Sequence, residues 1–347
     1  GGLALNLAMN RRAARLVEEM ISKAEELRVD VHELPCGSVV VDCGVEAEGS
    51  LSAGLYAARI CVGDLAEFSI STVDYDGLAL PVINVWTDYP VVTSLGAQLG
   101  DWEVDVGGYH AIGSGPARAL APDRPLPRAV AVNRAAHEER GYRILSPRQV
   151  YDAIGYSETA DMAVIVLESS ELPSEDVMTD IAGKCGVDPS NLYALVTPTT
   201  SLVGSVQIAG RVVEVGIHKL MLLGFDLKSI RFGSGCSPIA PPHPDVDEAM
   251  GRVNDMIRYA GATFYAVDVD EGYEPRLREL LARVPTTGSE NYGKTFMEIF
   301  REAGCEFYGV DLGEFSPAVI TVTNLRSGRV FTEGRVDAGM VRRVLDV

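Results

Sequence analysis

The chain has 347 residues, 47% of them hydrophobic and 23% charged, and carries a formal net charge of −19 from 30 Lys and Arg against 49 Asp and Glu. This length exceeds what one hydrophobic core usually serves, so two domains are expected. The composition excludes a disordered chain, and the negative charge opposes nucleic acid and anionic membrane surfaces as partners. In chain order, Leu16, Met20, Ala24 and Leu27 recur at helical spacing and predict an amphipathic helix over 11–27. A short strand is expected at 39–41. A helix over 50–61 follows, capped by Ser50 and closed by Gly63. Residues 66–73 and 78–87 read as a hairpin turned at 74–77, and a helix from Pro90 leads into a glycine-rich region. The stretch 122–147, rich in Pro and Arg and without apolar periodicity, reads as an exposed connection. Beyond it come a buried strand at 162–167, a helix at 173–185, a strand at 191–196 and a helix at 209–223 with Gly224 after its end. Helices at 246–259, 274–282 and 292–303 and strands at 263–267, 319–323 and 330–331 complete the pattern. The alternation is α/β with interspersed hairpins, which favours mixed sheets over purely parallel ones.

Six cysteines, at 36, 43, 61, 185, 236 and 305, form no C-x-x-C pair, and the five histidines form no H-E-x-x-H. No metal site is therefore expected, and free thiols in a reducing cytoplasm are. No leader is recognised, and no run approaches the roughly 18 apolar residues of a membrane span.

Two segments carry chemistry. Between Gly107 and Gly115, glycines cluster round Ser114, and Arg118 lies three residues beyond. Such a cluster is either a tight turn or a cradle of backbone amides for an anion. It is neither a Walker loop, lacking Gly-Lys-Ser/Thr, nor a dinucleotide fingerprint, since Pro116 interrupts the spacing. Gly113, Ser114, Gly115 and Arg118 are the candidate phosphate contacts. The second segment, 197–214, is dense in hydroxyls and glycine directly after a strand, where α/β proteins bind ligands. Gln98, Thr199, Ser201 and Gln207 offer donors and acceptors, although such residues also cap helices and turns. Arg211 and Glu214 stand three apart on one helical face, as a surface ion pair or, among the β-branched Val212, Val213 and Val215, as a buried functional pair. His110, His218, Trp86, Trp102 and the acids Asp268, Asp270 and Glu271 read as ordinary loop, core and turn residues.

The run SLVGSVQIAGRVVEVG over 201–216, with His218 and Lys219 after it, resembles the hallmark segment of methenyltetrahydromethanopterin cyclohydrolases. Segments 41–44, 95–98, 236–241 and 254–256 are similar to further blocks of that family, and the glycine-rich run to its phosphate-lined loop. The resemblance runs in order through most of the chain and departs only at 122–147, which is longer than the usual link. It implies two α/β domains with mixed sheets and a cleft between them. The division expected is an N-terminal α/β segment over 1–121, the connection over 122–147 and a second α/β segment over 148–347, with interleaving open. It further implies reversible hydrolysis of a methenyl pterin, with Glu214 as the base and Arg211 as its partner. A tetrahydromethanopterin derivative is then the substrate, no permanently bound cofactor is needed, and the assembly is a homotrimer. The rival readings are a nucleotide- or phosphate-binding enzyme using 113–118, and a pterin-binding protein without catalysis.

Overall fold

The computed structural model describes residues 7–347. Twelve strands occur among the described residues. They are β1 (Asp30–Glu33), β2 (Val39–Asp42), β3 (Glu67–Tyr75), β4 (Leu78–Thr87), β5 (Trp102–Val106), β6 (Tyr109–Ser114), β7 (Ala163–Glu168), β8 (Leu192–Val196), β9 (Ile230–Pro238), β10 (Ala262–Val267), β11 (Val319–Asn324) and β12 (Val330–Gly334). They form two six-stranded sheets, in the orders β1-β2-β8-β7-β6-β5 and β12-β11-β10-β9-β4-β3. Each sheet mixes parallel and antiparallel pairs, as the alternation of helices and hairpins requires.

The chain divides into two compact units that interleave. The first takes the residues up to Glu67 together with Leu95–Pro127 and Leu145–Gln207, and the second takes Phe68–Ser94, Arg128–Ile144 and Ile208–Val347. Such interleaving is left open by the sequence. Residues 128–144 are not a plain connection: they form the short helices Arg128–Val132 and Arg134–Glu139. They pack into the second unit, where the Arg143 amide donates to the Leu222 carbonyl at 2.6 Å and Arg140 pairs with Asp311.

In the first unit, β7 is apolar on both faces because both faces are covered. Ile165 and Leu167 join one core with Val177, Met178 and Ile181 of the Glu175–Cys185 helix. Val164 and Val166 join the opposite core with Val17 and Met20 of the Met9–Ser22 helix and Ile60 of the Leu51–Cys61 helix. The period-2 alternation of a strand thus serves two hydrophobic layers. Ser50 caps the Leu51–Cys61 helix as its sequence suggests, accepting from the Ala53 amide at 3.0 Å. The helix expected over 11–27 breaks at Lys23 into Met9–Ser22 and Ala24–Leu27.

In the second unit, the helix Val212–Leu222 packs on β9 and β10, and the helix Val246–Ala260 packs on β9. The second helix carries a buried polar knot. Arg258, 1% exposed, donates to Asp255 at 2.7 Å and to Glu314 at 3.2 Å. The Asp255 carboxylate also accepts the Phe296 amide. Burial pushes the Asp255 carboxyl up to about 6 against the pull of Arg258. Asp255 thereby ties this helix to the N-terminus of the helix Phe296–Glu302.

Candidate active site

The glycine-rich region folds as a hairpin. Gly107 and Gly108, with φ of 61° and 91°, make the two-residue turn between β5 and β6, a conformation that requires positive φ at both positions. Gly113 and Ser114 are then strand residues, and the buried Ser114 sits near Cys61 at 3.4 Å. A Cβ on Gly115 would meet the backbone of β7, 3.2 Å from the Val164 oxygen and the Val166 nitrogen. Glycine is therefore needed for packing against β7, and the Gly115 amide donates to the Ala97 carbonyl at 2.8 Å.

Arg118, the remaining candidate phosphate contact, lies in the interior of the fold. It is fully buried, with Nε donating to Asp101 at 2.6 Å and Nη1 to the Leu95 carbonyl at 2.9 Å. Arg124 donates to the same Asp101 oxygen at 2.5 Å. Burial pushes the Asp101 carboxyl up, but the two guanidinium groups override it and hold it at about 2. A buried arginine needs a carboxylate, and Asp101 supplies it from within the fold.

The second segment keeps the character its sequence suggests. β7 and β8 run parallel, and Glu168 and Thr199 meet just past their C-terminal ends, the Thr199 hydroxyl donating to Glu168 at 2.5 Å. Glu168 is not among the residues expected from the sequence, although a carboxylate closing an apolar strand is a legible signal. Ser201 donates to the Pro198 carbonyl at 2.7 Å and accepts the Gly204 amide at 2.9 Å, which starts the helix Leu202–Ala209. Gln207, 1% exposed, lies in that helix. Gln98, 3% exposed, ends the π-helical turn Val92–Gln98, a rare geometry often found at functional sites. At the end of β2, the buried Asp42 carboxylate accepts the amides of Gly44, Val45, Glu46 and Ala47. These bonds offset the upward push of burial and hold its carboxyl below the usual range.

The helix expected over 209–223 is divided at Gly210 and Arg211, leaving Val212–Leu222 as a helix buried along its whole length. Arg211 is its N-cap residue and Glu214 lies in its first turn, both side chains buried within the protein. The helix dipole at this end favours a negative charge. A buried cation and a buried carboxylate thus stand three residues apart at the start of this helix. Lys219, on the same helix, donates to the Gly313 carbonyl and lies over the Tyr142 ring at 5.1 Å. Burial pushes its amine down to about 8.

Comparison with known proteins gives the family. The family model described as Cyclohydrolase (MCH) matches residues 8–138 and 142–345, pausing only inside the 122–147 stretch. The methenyltetrahydromethanopterin cyclohydrolase of Methanococcoides burtonii is 39% identical over 335 residues, covering 96% of this chain and 97% of its own. Those of Methanothermobacter marburgensis and Methanosarcina barkeri are 40% identical over 340 residues and 41% over 328, covering 97% and 94% of this chain and 98% and 95% of their own. This chain belongs to the methenyltetrahydromethanopterin cyclohydrolase family.

Proposed function

We propose that this protein catalyses the reversible hydrolysis of methenyltetrahydromethanopterin to formyltetrahydromethanopterin in one-carbon metabolism, of the kind used in methanogenesis or methylotrophy. The observation that carries this reading is the full-length similarity to cyclohydrolases of that name, together with a buried Arg211 and Glu214 at one helix start. The methenyl carbon is part of a cationic amidinium and is electrophilic by itself, so the protein has only to position a water and take its proton. In this reading Glu214 accepts the proton as the water oxygen bonds to the methenyl carbon. One carbon–nitrogen bond then breaks, that nitrogen takes up a proton, and the carbonyl of the formyl group forms. Proton transfer of this kind contributes about 10²–10⁴-fold. Arg211 keeps the carboxylate ionised and oriented. Gln98, Thr199, Ser201 and Gln207 are assigned to polar contacts with the pterin, which binds as substrate with no permanently held cofactor.

The same reading includes a homotrimer. Trp86 of β4, Phe232 of β9 and Phe264 of β10 share one face of the second sheet by register. Trp86 is 49% exposed and Phe232 36%, a surface suited to self-association. A reducing cytoplasmic setting is supported by six cysteines that are all unpaired. Among the described residues no helix is long and apolar enough to cross a membrane. The test of the activity is direct: purified protein added to methenyltetrahydromethanopterin should remove the methenyl absorbance catalytically. Absence of turnover in folded protein would overturn the reading.

A further inference from the structure

The Val212–Leu222 helix is braced by a residue that carries no local signal in the sequence. Tyr265 of β10 is fully buried, and its hydroxyl donates to the Val213 carbonyl at 2.7 Å, one residue before Glu214. In a regular helix that carbonyl accepts the Ile217 amide, so the Tyr265 hydroxyl shares an acceptor of the helix ladder. The phenol thus enters the hydrogen-bond ladder of the helix at the turn that carries Glu214, a placement that fixes local helix geometry. Room for it exists because residue 216 is glycine: a Cβ there would stand 2.2 Å from the Tyr265 oxygen, well inside contact distance. Burial pushes the hydroxyl well above the usual phenol range, with the charge of Glu214 adding to the effect, so it remains a donor at working pH.

We infer that Tyr265 is a positioning residue for the proton-accepting carboxylate, its hydroxyl and the gap at Gly216 together setting the height and rotation of the first turn that presents Arg211 and Glu214. This rests on the reading of Glu214 as the base. Tyr265 is enclosed in the protein and reaches the reaction only through the helix, so its loss acts on the rate at saturation and leaves substrate affinity alone. A shift of about 1 Å in a catalytic group can cost about 10²-fold, and loss of one brace out of several costs part of that.

The experiment compares kcat, KM and melting temperature for Tyr265→Phe, Gly216→Ala, the double variant and Glu214→Gln beside the wild type. Tyr265→Phe should lower kcat about tenfold with KM within about twofold. Gly216→Ala should lower kcat further, because its methyl meets the hydroxyl. In the double variant the oxygen is gone and the nearest ring carbons lie at 3.0 and 3.1 Å, so kcat should return toward that of Tyr265→Phe. A wild-type kcat in folded Tyr265→Phe overturns the proposal, whatever its melting temperature. Should that variant fail to fold, Gly216→Ala decides: a lowered kcat at unchanged KM supports the proposal, and a wild-type kcat overturns it. The control separates the two claims. An inactive Glu214→Gln beside a fully active Tyr265→Phe removes the positioning role and keeps the base, whereas an active Glu214→Gln removes both.

Discussion

Replacing Arg118 by methionine removes one of the two guanidinium groups that share the Asp101 carboxylate, while keeping an apolar stem of similar length in a fully buried site. Asp101 keeps Arg124 at 2.5 Å, and the Leu95 carbonyl loses its 2.9 Å donor. Breaking a buried ion pair costs about 3–5 kcal/mol, and the surviving partner places this case at the low end, near 3 kcal/mol. For a unit of this size that lowers the melting temperature by roughly 6–12 °C. KM for the pterin should stay within about twofold, because the guanidinium faces the interior. If Arg118 instead held a substrate phosphate, the charge-assisted contact would be worth about 1.5–3 kcal/mol and KM would rise roughly ten- to a hundredfold. Thermal melting and steady-state kinetics on the same preparation separate the two outcomes, with Arg118→Lys as a charge-retaining control. A large rise in KM at unchanged melting temperature would refute the argument.

Two further outcomes follow from the same structure. The Asp101 carboxyl is held at about 2 in the folded protein against an ordinary value near 3.9; a depressed acid contributes stability above its unfolded pKa and loses it as pH falls through the folded one. About 2–3 kcal/mol should therefore disappear between roughly pH 4 and pH 2, and Asp101→Asn should flatten that limb in urea unfolding followed across pH; an unchanged limb counts against the buried trio. For assembly, light scattering at moderate salt should report about three chain masses, as expected of a closed cyclic oligomer, and Trp86→Glu should reduce it; a monomer at every concentration contradicts the trimer.

How far the sequence can be read depends on whether the deciding contact is local. The Ser50 cap and the hairpin of β3 and β4 are governed by near neighbours, residues 39–41 and 246–259 fall within the elements observed there, and the strand read at 191–196 is seen at 192–196. The glycine cluster is harder. Gly107 and Gly108 between the alternating strands β5 and β6 are a hairpin signal, but the need for glycine at 115 comes from the backbone of β7, some fifty residues away. The interleaving of the two units is hidden for the same reason, since 128–144 gains its place through partners such as Leu222 and Asp311. At the candidate site, Arg211 and Glu214 are legible from their spacing and from the family resemblance. Tyr265 is not, because nothing local marks a strand tyrosine as the partner of a helix carbonyl.

The central claim is that Glu214 takes the proton from the attacking water. The measurement is the rate at which Glu214→Gln removes methenyl absorbance at saturating methenyltetrahydromethanopterin, with binding of the substrate followed in parallel. Glutamine keeps the size and hydrogen-bonding shape but cannot accept the proton, so kcat should fall by about 10²-fold or more while affinity is retained. A folded Glu214→Gln protein turning over at near wild-type rate would contradict the account and send the search for the base elsewhere.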